Sequence, residues 1–574
     1  MVKVGLEIHQ QLDTRKLFCS CPSELDDSYD MEFVRILKPV VSELGEIDRA
    51  ALEEAKRIRR VIYRANTRNT CAVEWDEEPP HEMNREALRI ALQIAKLLKA
   101  KVVDEIHVMR KILIDGSAVT GFQRTALIAT DGEVDGIRIQ TICLEEDSAR
   151  PVESRNGVRV FNLDRLGIPL VEIATAPEIK SGEEAKRIAR RIGELLRMTK
   201  VKRGIGTIRQ DLNVSVEGGA RVEIKGVQEL DLIPKIVEYE EKRQRKLIKL
   251  RKRFACEKGE IVDVSEIFRQ SKSRIFGGKK VFAGVLRGAA GLFAEELHEG
   301  KWVGKEIVEY VRAYGFGGFV HSDEDLSKYK LKEELEEVKK KLGAGSKDLI
   351  VLAAGSRRIV ELVYERVEQF ARGVPEDTRK ANPDGSTSYM RPLPTGARMY
   401  PETDIPPVRP FEVETPELPE ERLRRLKKIL PEEVAKKLYL SEDFYLFEEL
   451  GEKPIVGIII TEYLPALRRM GIEVGKNEIR KVVQLYEAGK VTRDAIFDSL
   501  IKVARGEKLE LSKLSEREVR KLVKKMIAER MEYVKSSPNP IKGLMGVIMG
   551  KIKGRYPASE VAKILEEEIK KMRK

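Results

Sequence analysis

Three short stretches of this 574-residue chain carry residue types that could work on phosphate and carboxylate groups. The first is Gly5-Leu6-Glu7-Ile8-His9-Gln10-Gln11. Side chains alternate along a strand, so Glu7, His9 and Gln11 share one face while Leu6, Ile8 and Leu12 take the other. An acid, an imidazole and an amide suit the wall of a site; they equally suit a solvated face beside a buried one. The second is Leu144-Glu145-Glu146-Asp147. Adjacent acids are costly to hold together unless water or a cation neutralises them, and Mg²⁺ typically takes one or two carboxylates plus phosphate oxygens. A surface turn explains the same run. In the third, Asn162 to Ile173, Glu172 stands between Val171 and Ile173 in an apolar strand. A carboxylate there needs a metal, an arginine or backbone donors unless its face is solvated. Together Glu7, Glu146 and Glu172 could form a three-carboxylate cage for Mg²⁺, though spacing alone does not make them converge.

Cations stand nearby in the sequence. The segments Arg209 to Asn213 and Arg221 to Lys225, with Arg110-Lys111 and Arg165, hold enough positive charge to neutralise a triphosphate during phosphoryl transfer. A solvated, ion-paired strand face gives the same pattern. There is no Walker A loop, no G-x-G-x-x-G and no kinase signature, so any ATP site is of an uncommon kind. Five cysteines make no disulfide framework. Cys19 and Cys21 form half of a zinc motif; Cys71, Cys143 and Cys256 stand apart, and a structural zinc is not expected.

These side chains need a rigid frame, and the chain is long enough for roughly three to five domains. Its 42% hydrophobic content supports real cores built mostly from aliphatic residues, because aromatics reach only 6%. Val2, Val4, Leu6 and Ile8 alternate as a half-buried strand. Helices are predicted over Arg85–Lys99, over Ser181–Arg197 with a Ser181/Glu184 capping box, and from Pro234 to Leu250. The charged run from Glu241 to Lys246 in that last helix reads as a solvated face. After Cys256 a Gly-rich segment opens a separate α+β module reaching about residue 380. Asn382 to Pro407 reads as loop, and the chain beyond Pro410 as helical, with a break at Ser536–Pro540. Ser515 and Glu518 cap a helix whose Val519, Leu522, Val523, Met526 and Ile527 form a core stripe, opposite Arg517, Arg520, Lys521, Lys524 and Lys525. Net charge of +12 and a pI near 9.1 favour a polyanionic partner. The 35% charged content also fits the surface ion-pair networks of a hyperthermophile. No apolar run approaches the ~20 residues of a spanning helix and no signal segment is evident, so a cytoplasmic protein without membrane association is expected.

The order GLEIHQQL, KLFCSCPSEL, CLEEDSAR, FNLDRLGIPLVEIATAPEI, IRQDLNVSV, RVEIKGVQEL and EYEEKRQ resembles the B/E family of glutamyl-tRNA(Gln) amidotransferase subunits. The central insertion, RKANPDGSTSYMRPLPTGARMYPETD and the basic helical tail are similar to its archaeal E branch. The likeness spans nearly the whole chain, with long and unusual motifs.

That resemblance implies an enzyme that uses ATP and Mg²⁺ to phosphorylate the γ-carboxylate of glutamate on tRNA(Gln). Ammonia then displaces phosphate, giving Gln-tRNA(Gln). It implies Mg²⁺ ligation by Glu7, Glu146 and Glu172, with His9 in the same pocket. Lys111, and with it Arg165, Asn213, Arg221 and Lys225, would lie near the nucleotide or the reacting carboxylate. Ammonia would come from a D-type subunit, an asparaginase-like glutaminase, in a hetero-oligomer with two copies of each subunit. The implied fold is a multidomain α+β protein: a mixed α/β cradle (1–256), an inserted aspartyl-tRNA-synthetase-like α+β module (257–380), a return segment completing the cradle (381–412), an all-helical domain (413–505) and a helical tail (506–574). Relatives of the B branch carry four cysteines for zinc; with only Cys19 and Cys21 matched here, zinc is not carried over. The competing reading is a non-catalytic tRNA-binding scaffold that needs none of the three glutamates.

Overall fold

The structure is a computed structural model. It describes residues 1–574 apart from 156, 402, 508, 510–513, 538, 553, 554 and 574, and apart from the side chains of 57 and 573. Pro538 of the predicted helix break and the terminal Lys574 therefore lie outside the described residues. The chain divides into two compact units, Met1–Pro416 and Glu417–Lys574.

The first unit is organised by an 11-stranded sheet. Its main strands are β1 (Val2–Gln11), β2 (Val108–Ile112), β3 (Phe122–Val134), β4 (Ile137–Glu146), β5 (Pro169–Thr175), β6 (Ile208–Val216), β7 (Val222–Val227), β8 (Asp377–Ala381), β9 (Thr387–Pro392) and β10 (Met399–Tyr400). They lie in the order β9-β8-β7-β6-β1-β5-β4-β3-β2-β10, and a two-residue strand, Lys101–Val102, pairs with β3. Neighbours are antiparallel except β7 and β8, which run parallel. That exception follows from connectivity, since everything between residues 228 and 376 crosses over between those two strands.

β1 is central, paired with β5 on one side and β6 on the other. Its Val4, Leu6 and Ile8 are buried. The apolar side of the sheet packs on helices α1 (Arg85–Leu97), α2 (Gly182–Leu196) and α3 (Ile233–Phe254). Ser181 caps α2 by accepting from the Glu184 amide. A Cβ on Gly182 would lie 2.5 Å from the Cα of Pro234, so glycine is what lets α2 and α3 approach there. With this side closed by helices, the polar side chains of β1 point to the opposite face. A second, four-stranded sheet is built from Met31–Arg35, Arg60–Ala65, Val158–Asn162 and Arg150–Arg155.

Three sequence expectations change. The acids after Cys143 do not form a turn: they extend β4 to Glu146, and Glu145, Glu146 and Asp147 are all buried. Residues 382–407 are not all loop, because β9 and β10 complete the sheet there. The charged run in α3 is not simply solvated. Arg243, at 1% exposure, enters a cluster in which Glu306 accepts from Arg243 at 2.9 Å and from Arg379 at 2.6 Å, with Arg366 bonded to Asp377. The cluster ties α3 to helices α4 (Val303–Ala313) and α5 (Arg357–Arg372) and to β8. Buried guanidinium groups are tolerable only with this density of partners.

Between α3 and β8, an α+β module holds its own four-stranded sheet from Val262–Asp263, Val281–Leu286, Leu349–Ala354 and Val320–His321. Its core includes Phe268, Phe276, Val281 and Ile350. The predicted module boundary at 380 falls inside β8, whose first residue is Asp377.

The second unit is helical from Pro419. One core gathers Leu426, Phe447, Ile459, Val482 and Leu500. A second gathers Val519, Val523, Met526, Leu544, Ile548 and Leu565. Ser515 and Glu518 form the expected capping box, and Leu522 is the partly buried edge of the stripe. Among the described residues no helix is long and apolar enough to cross a membrane.

Candidate active site

Strand register builds the site. Across β1, His9 stands opposite Glu172 of β5 and Arg209 of β6, while Glu7 stands opposite Asp211 of β6. Three adjacent strands thus converge on one face. His9 Nε2 lies 3.2 Å from Glu172 Oε2 and 3.4 Å from Glu7 Oε1. Lys111, on β2, is 3.0 Å from the same Glu172 oxygen and also donates to Glu145. Glu145 further accepts from the Thr125 hydroxyl at 2.6 Å and from Gln123 at 3.1 Å. On the other flank Lys225 bridges Asp211 and Glu223, 2.7 Å from each.

The two sides of this cluster differ in charge balance. Burial, then the neighbouring Glu172, push the Glu7 carboxyl up to about 7. Burial and Glu172 also raise Glu145. Glu172 itself is held well below the carboxylate range: burial opposes this, but Lys111 and the His9 hydrogen bond outweigh it. Burial likewise disfavours a charged His9, yet its bond to Glu172 and the surrounding acids lift it to about 8. Glu223 is brought to about 2 by Lys225 against the effect of burial. Around His9, then, acids outnumber cations. The oxygen and nitrogen atoms of Glu7, His9 and Asp211 lie within 4.8 Å of one another, as do those of His9, Glu145 and Glu172. Such a carboxylate-rich set fits a hard divalent cation.

The cluster lies in the wall of a cavity of about 1080 Å³. Of the residues singled out from sequence, Glu7, His9, Lys111, Arg165, Glu172, Asn213, Arg221 and Lys225 all line it. Arg165 is fixed by donating to the carbonyls of Ser148, at 2.8 Å, and Ala149, at 3.0 Å. Glu146 does not line it. Consecutive strand residues point to opposite faces, so Glu145 turns to the cavity and Glu146 away, where Arg124 binds it at 2.8 Å. The cage of Glu7, Glu146 and Glu172 is not formed; Glu145 stands in the place expected for Glu146. The alternation of Ile142 and Leu144 with Cys143 and Glu145 carried that information.

Sequence reasoning also passed over Lys380, Arg391 and Arg398, which reach the cavity from β8, β9 and the turn before β10. Only the crossover through the inserted module brings them there, so no local spacing announced them. Among the described residues Arg221, Lys380, Arg391 and Arg398 make no ion pair, unlike Lys111, Arg209 and Lys225. They form a cationic rim beside the acid cluster, with Arg391 near enough to Glu223 to help lower its carboxyl.

The cysteines also gather differently from expectation. Cys71 does not stand apart: Cys19, Cys21, Cys71 and Glu74 place their ligand atoms within 4.8 Å of one another. Cys19 donates to Glu74 at 3.0 Å, and Glu74 accepts from the Cys71 amide at 2.9 Å. The second half of the motif is a C-x-x-E rather than a cysteine pair. Three thiols and a carboxylate are a donor set of the kind zinc takes, so the reason for setting zinc aside no longer holds.

Comparison with known proteins adds an independent finding. The family profile described as the GatB/GatE catalytic domain matches residues 2–413, and the GatB domain profile matches 446–569. The chain is 46% identical to the E-type subunit of glutamyl-tRNA(Gln) amidotransferase from Archaeoglobus fulgidus, over 99% of this chain and 98% of that one. It is 44% identical to the protein of the same name from Methanocaldococcus jannaschii, over 100% and 99%. With the one from Pyrococcus horikoshii the identity is 45%, over 96% and 93%.

Proposed function

The chain belongs to the family of the GatB/GatE catalytic domain, and from that premise we propose that it is the transferase subunit of a tRNA-dependent amidotransferase. It uses ATP to phosphorylate the γ-carboxylate of glutamate on tRNA(Gln), and ammonia displaces the phosphate to give Gln-tRNA(Gln). One observation carries this reading: a cluster of acids around His9 and a rim of cations share a single cavity.

The chemistry needs both. A carboxylate is a poor acyl donor because its leaving group would be oxide, and phosphorylation replaces that with phosphate. Mg²⁺, held by Glu7, Glu145 and Glu172, would neutralise charge on the phosphate oxygens in the transition state. Burial, with Glu172 beside it, raises the Glu7 carboxyl, and such an ion would favour its charged form. Lys111 keeps Glu172 ionised and fixes Glu145 beside it, and His9 spaces Glu7 from Glu172. Arg221, Lys380, Arg391 and Arg398 take the phosphate oxygens, with Arg165, Asn213 and Lys225 orienting the carboxylate and nucleotide. The acyl phosphate hydrolyses readily, so ammonia arrives by an enclosed route from a partner. That partner is a D-type subunit, an asparaginase-like glutaminase, with two copies of each subunit, acting in the cytoplasm. Residues 1–256 and 377–412 form the cradle, 257–376 the aspartyl-tRNA-synthetase-like insertion, 413–505 the helical domain and 506–574 the tail.

The test is amide formation by the purified chain with Glu-tRNA(Gln), ATP and an ammonium salt. Gln-tRNA(Gln) should form, and glutamine should not replace ammonium. Glu172→Gln should abolish phosphate release while tRNA binding persists. Turnover that survives this change would refute the role given to Glu172, and tRNA binding without any turnover by the unaltered chain would leave only the scaffold reading.

A further inference from the structure

The α+β module between α3 and β8 contains a second cavity, of about 780 Å³, unconnected with the acid cluster. Its floor is aromatic. Phe293 and Phe319 meet edge-on with centroids 6.0 Å apart, and His321 lies edge-on to Phe293 at 5.2 Å. His321 is buried, with no hydrogen-bond partner for Nδ1 among the described residues. Trp302 stands at the rim, 45% exposed, which is unusual for so large an apolar ring. A Cβ on Gly304 would lie 2.5 Å from His321 Nε2, so glycine lets the first turn of α4 press onto this floor. The same helix carries Lys305 and Arg312 into the cavity lining.

The balance of charge decides what fits. Both acids of the lining are already engaged: Asp323 accepts from the amides of Gly291 and Phe293, and Glu324 from the Tyr329 hydroxyl at 2.9 Å. Lys279, Lys305 and Arg312 make no ion pair among the described residues; Arg312 donates only to the Gly317 carbonyl, and Lys305 to that of Gly300. The cavity therefore offers aromatic surface together with positive charge that is not taken up in close ion pairs, Lys305 having only a longer-range interaction with Asp384. That combination suits a flat ring bearing a phosphate and is how proteins hold unstacked bases of single-stranded nucleic acid.

We infer that this cavity takes an unpaired nucleotide of the RNA substrate, its base against Trp302 and the phenylalanines and its phosphate toward Lys305 and Arg312. The inference rests on the reading of the chain as acting on tRNA. It gives the inserted module a direct part in holding that substrate, remote from the reacting carboxylate.

Trp302 supplies the assay, because Trp75 is the only other tryptophan. Full-length chain is titrated without ATP, following tryptophan emission, with uncharged tRNA(Gln), a single-stranded hexaribonucleotide, the same hexamer as a duplex, and AMP. The first two should quench, the duplex should not, and Trp302→Phe should remove the signal. Trp302→Ala should weaken hexamer binding roughly 5- to 150-fold. The surface double variant Lys305→Glu/Arg312→Glu, which leaves the aromatic floor intact, should lower the salt slope of hexamer binding by about 1.4. Quenching by AMP but not by tRNA, equal quenching by the duplex, or a signal that survives Trp302→Phe overturns the inference. Amide formation without Trp302 quenching defeats this inference alone; quenching without amide formation defeats only the proposed reaction.

Discussion

Glu145 and Glu146 are neighbours in sequence and opposites in role, so exchanging each for glutamine is a sharp experiment. Glu146→Gln removes the ionic partner of Arg124, in a pair whose side chains are only 15% and 6% exposed. Breaking such a pair from one side typically costs about 3–5 kcal/mol. The first unit should then melt several degrees lower, with kcat for ammonium-dependent amidation nearly unchanged at a temperature where the variant is folded. Glu145→Gln acts differently. Lys111 retains Glu172 at 3.0 Å, and a glutamine can still bond Thr125 and Gln123. The stability cost should stay at about 1.5–3 kcal/mol, on the scale of one charged hydrogen bond. What disappears is one of the carboxylates proposed to hold the ion beside the transferring phosphate, and kcat should fall by about 10²- to 10³-fold, the scale for losing one electrostatic contact to the transition state. The assay is paired: thermal unfolding and single-turnover formation of Gln-tRNA(Gln) on both proteins. A Glu146→Gln enzyme that is stable but inactive, beside an active Glu145→Gln enzyme, would refute the strand-face assignment.

Other consequences are equally direct. Glu306→Gln strips the shared acid from Arg243 and Arg379 and should cost about 3–5 kcal/mol in urea unfolding, whereas Glu241→Gln, which breaks only the exposed pair with Arg245, should cost less than about 1 kcal/mol. Burial lowers the His321 imidazole from 6.5 to about 4. The folded state thus binds its proton less readily than the unfolded one, so the associated stability, about 3 kcal/mol, is present above pH 6.5 and is lost as pH falls toward 4. His321→Gln should flatten that part of the pH–stability curve, as read by unfolding midpoints. The Cys21 thiol is drawn down to about 7 by the Cys19 hydrogen bond, while burial raises Cys143 and Cys256. In metal-free protein at a pH of about 7.5, iodoacetamide should label Cys21 first, as mass spectrometry of timed digests would record.

Much of the site was legible because strand periodicity is local. Glu7 and His9 follow from a two-residue alternation, and Glu172 from an acid set in an apolar strand. The same rule, with Ile142 and Leu144 on the helix side, puts Glu145 on the cavity face, but the sequence reading does not apply it and takes Glu146 instead. Other features depended on contacts that no short window contains. Arg243 reads as a solvated charge until Glu306, 63 residues on, is folded against it. Lys380 closes the predicted module, and Arg391 and Arg398 sit in a stretch that reads as loop, because β8 and β9 are ordered by pairing onto β7, across the inserted module, and β10 by pairing onto β2. Cys71 meets Cys19 and Cys21 across a long stretch of sequence and in company with Glu74, a ligand type that a search for cysteine pairs ignores.

The central claim is that a metal ion and the phosphates of ATP meet on the polar face of β1. Crystals of the chain with Mn²⁺ and a non-hydrolysable ATP analogue, measured at the manganese edge, test it most directly. An anomalous peak is expected at bonding distance from carboxylate oxygens of Glu172 and at least one of Glu7 and Glu145, with the phosphates against Arg398 and Arg391. A peak beside Glu146, or nucleotide bound outside this cavity, would contradict it.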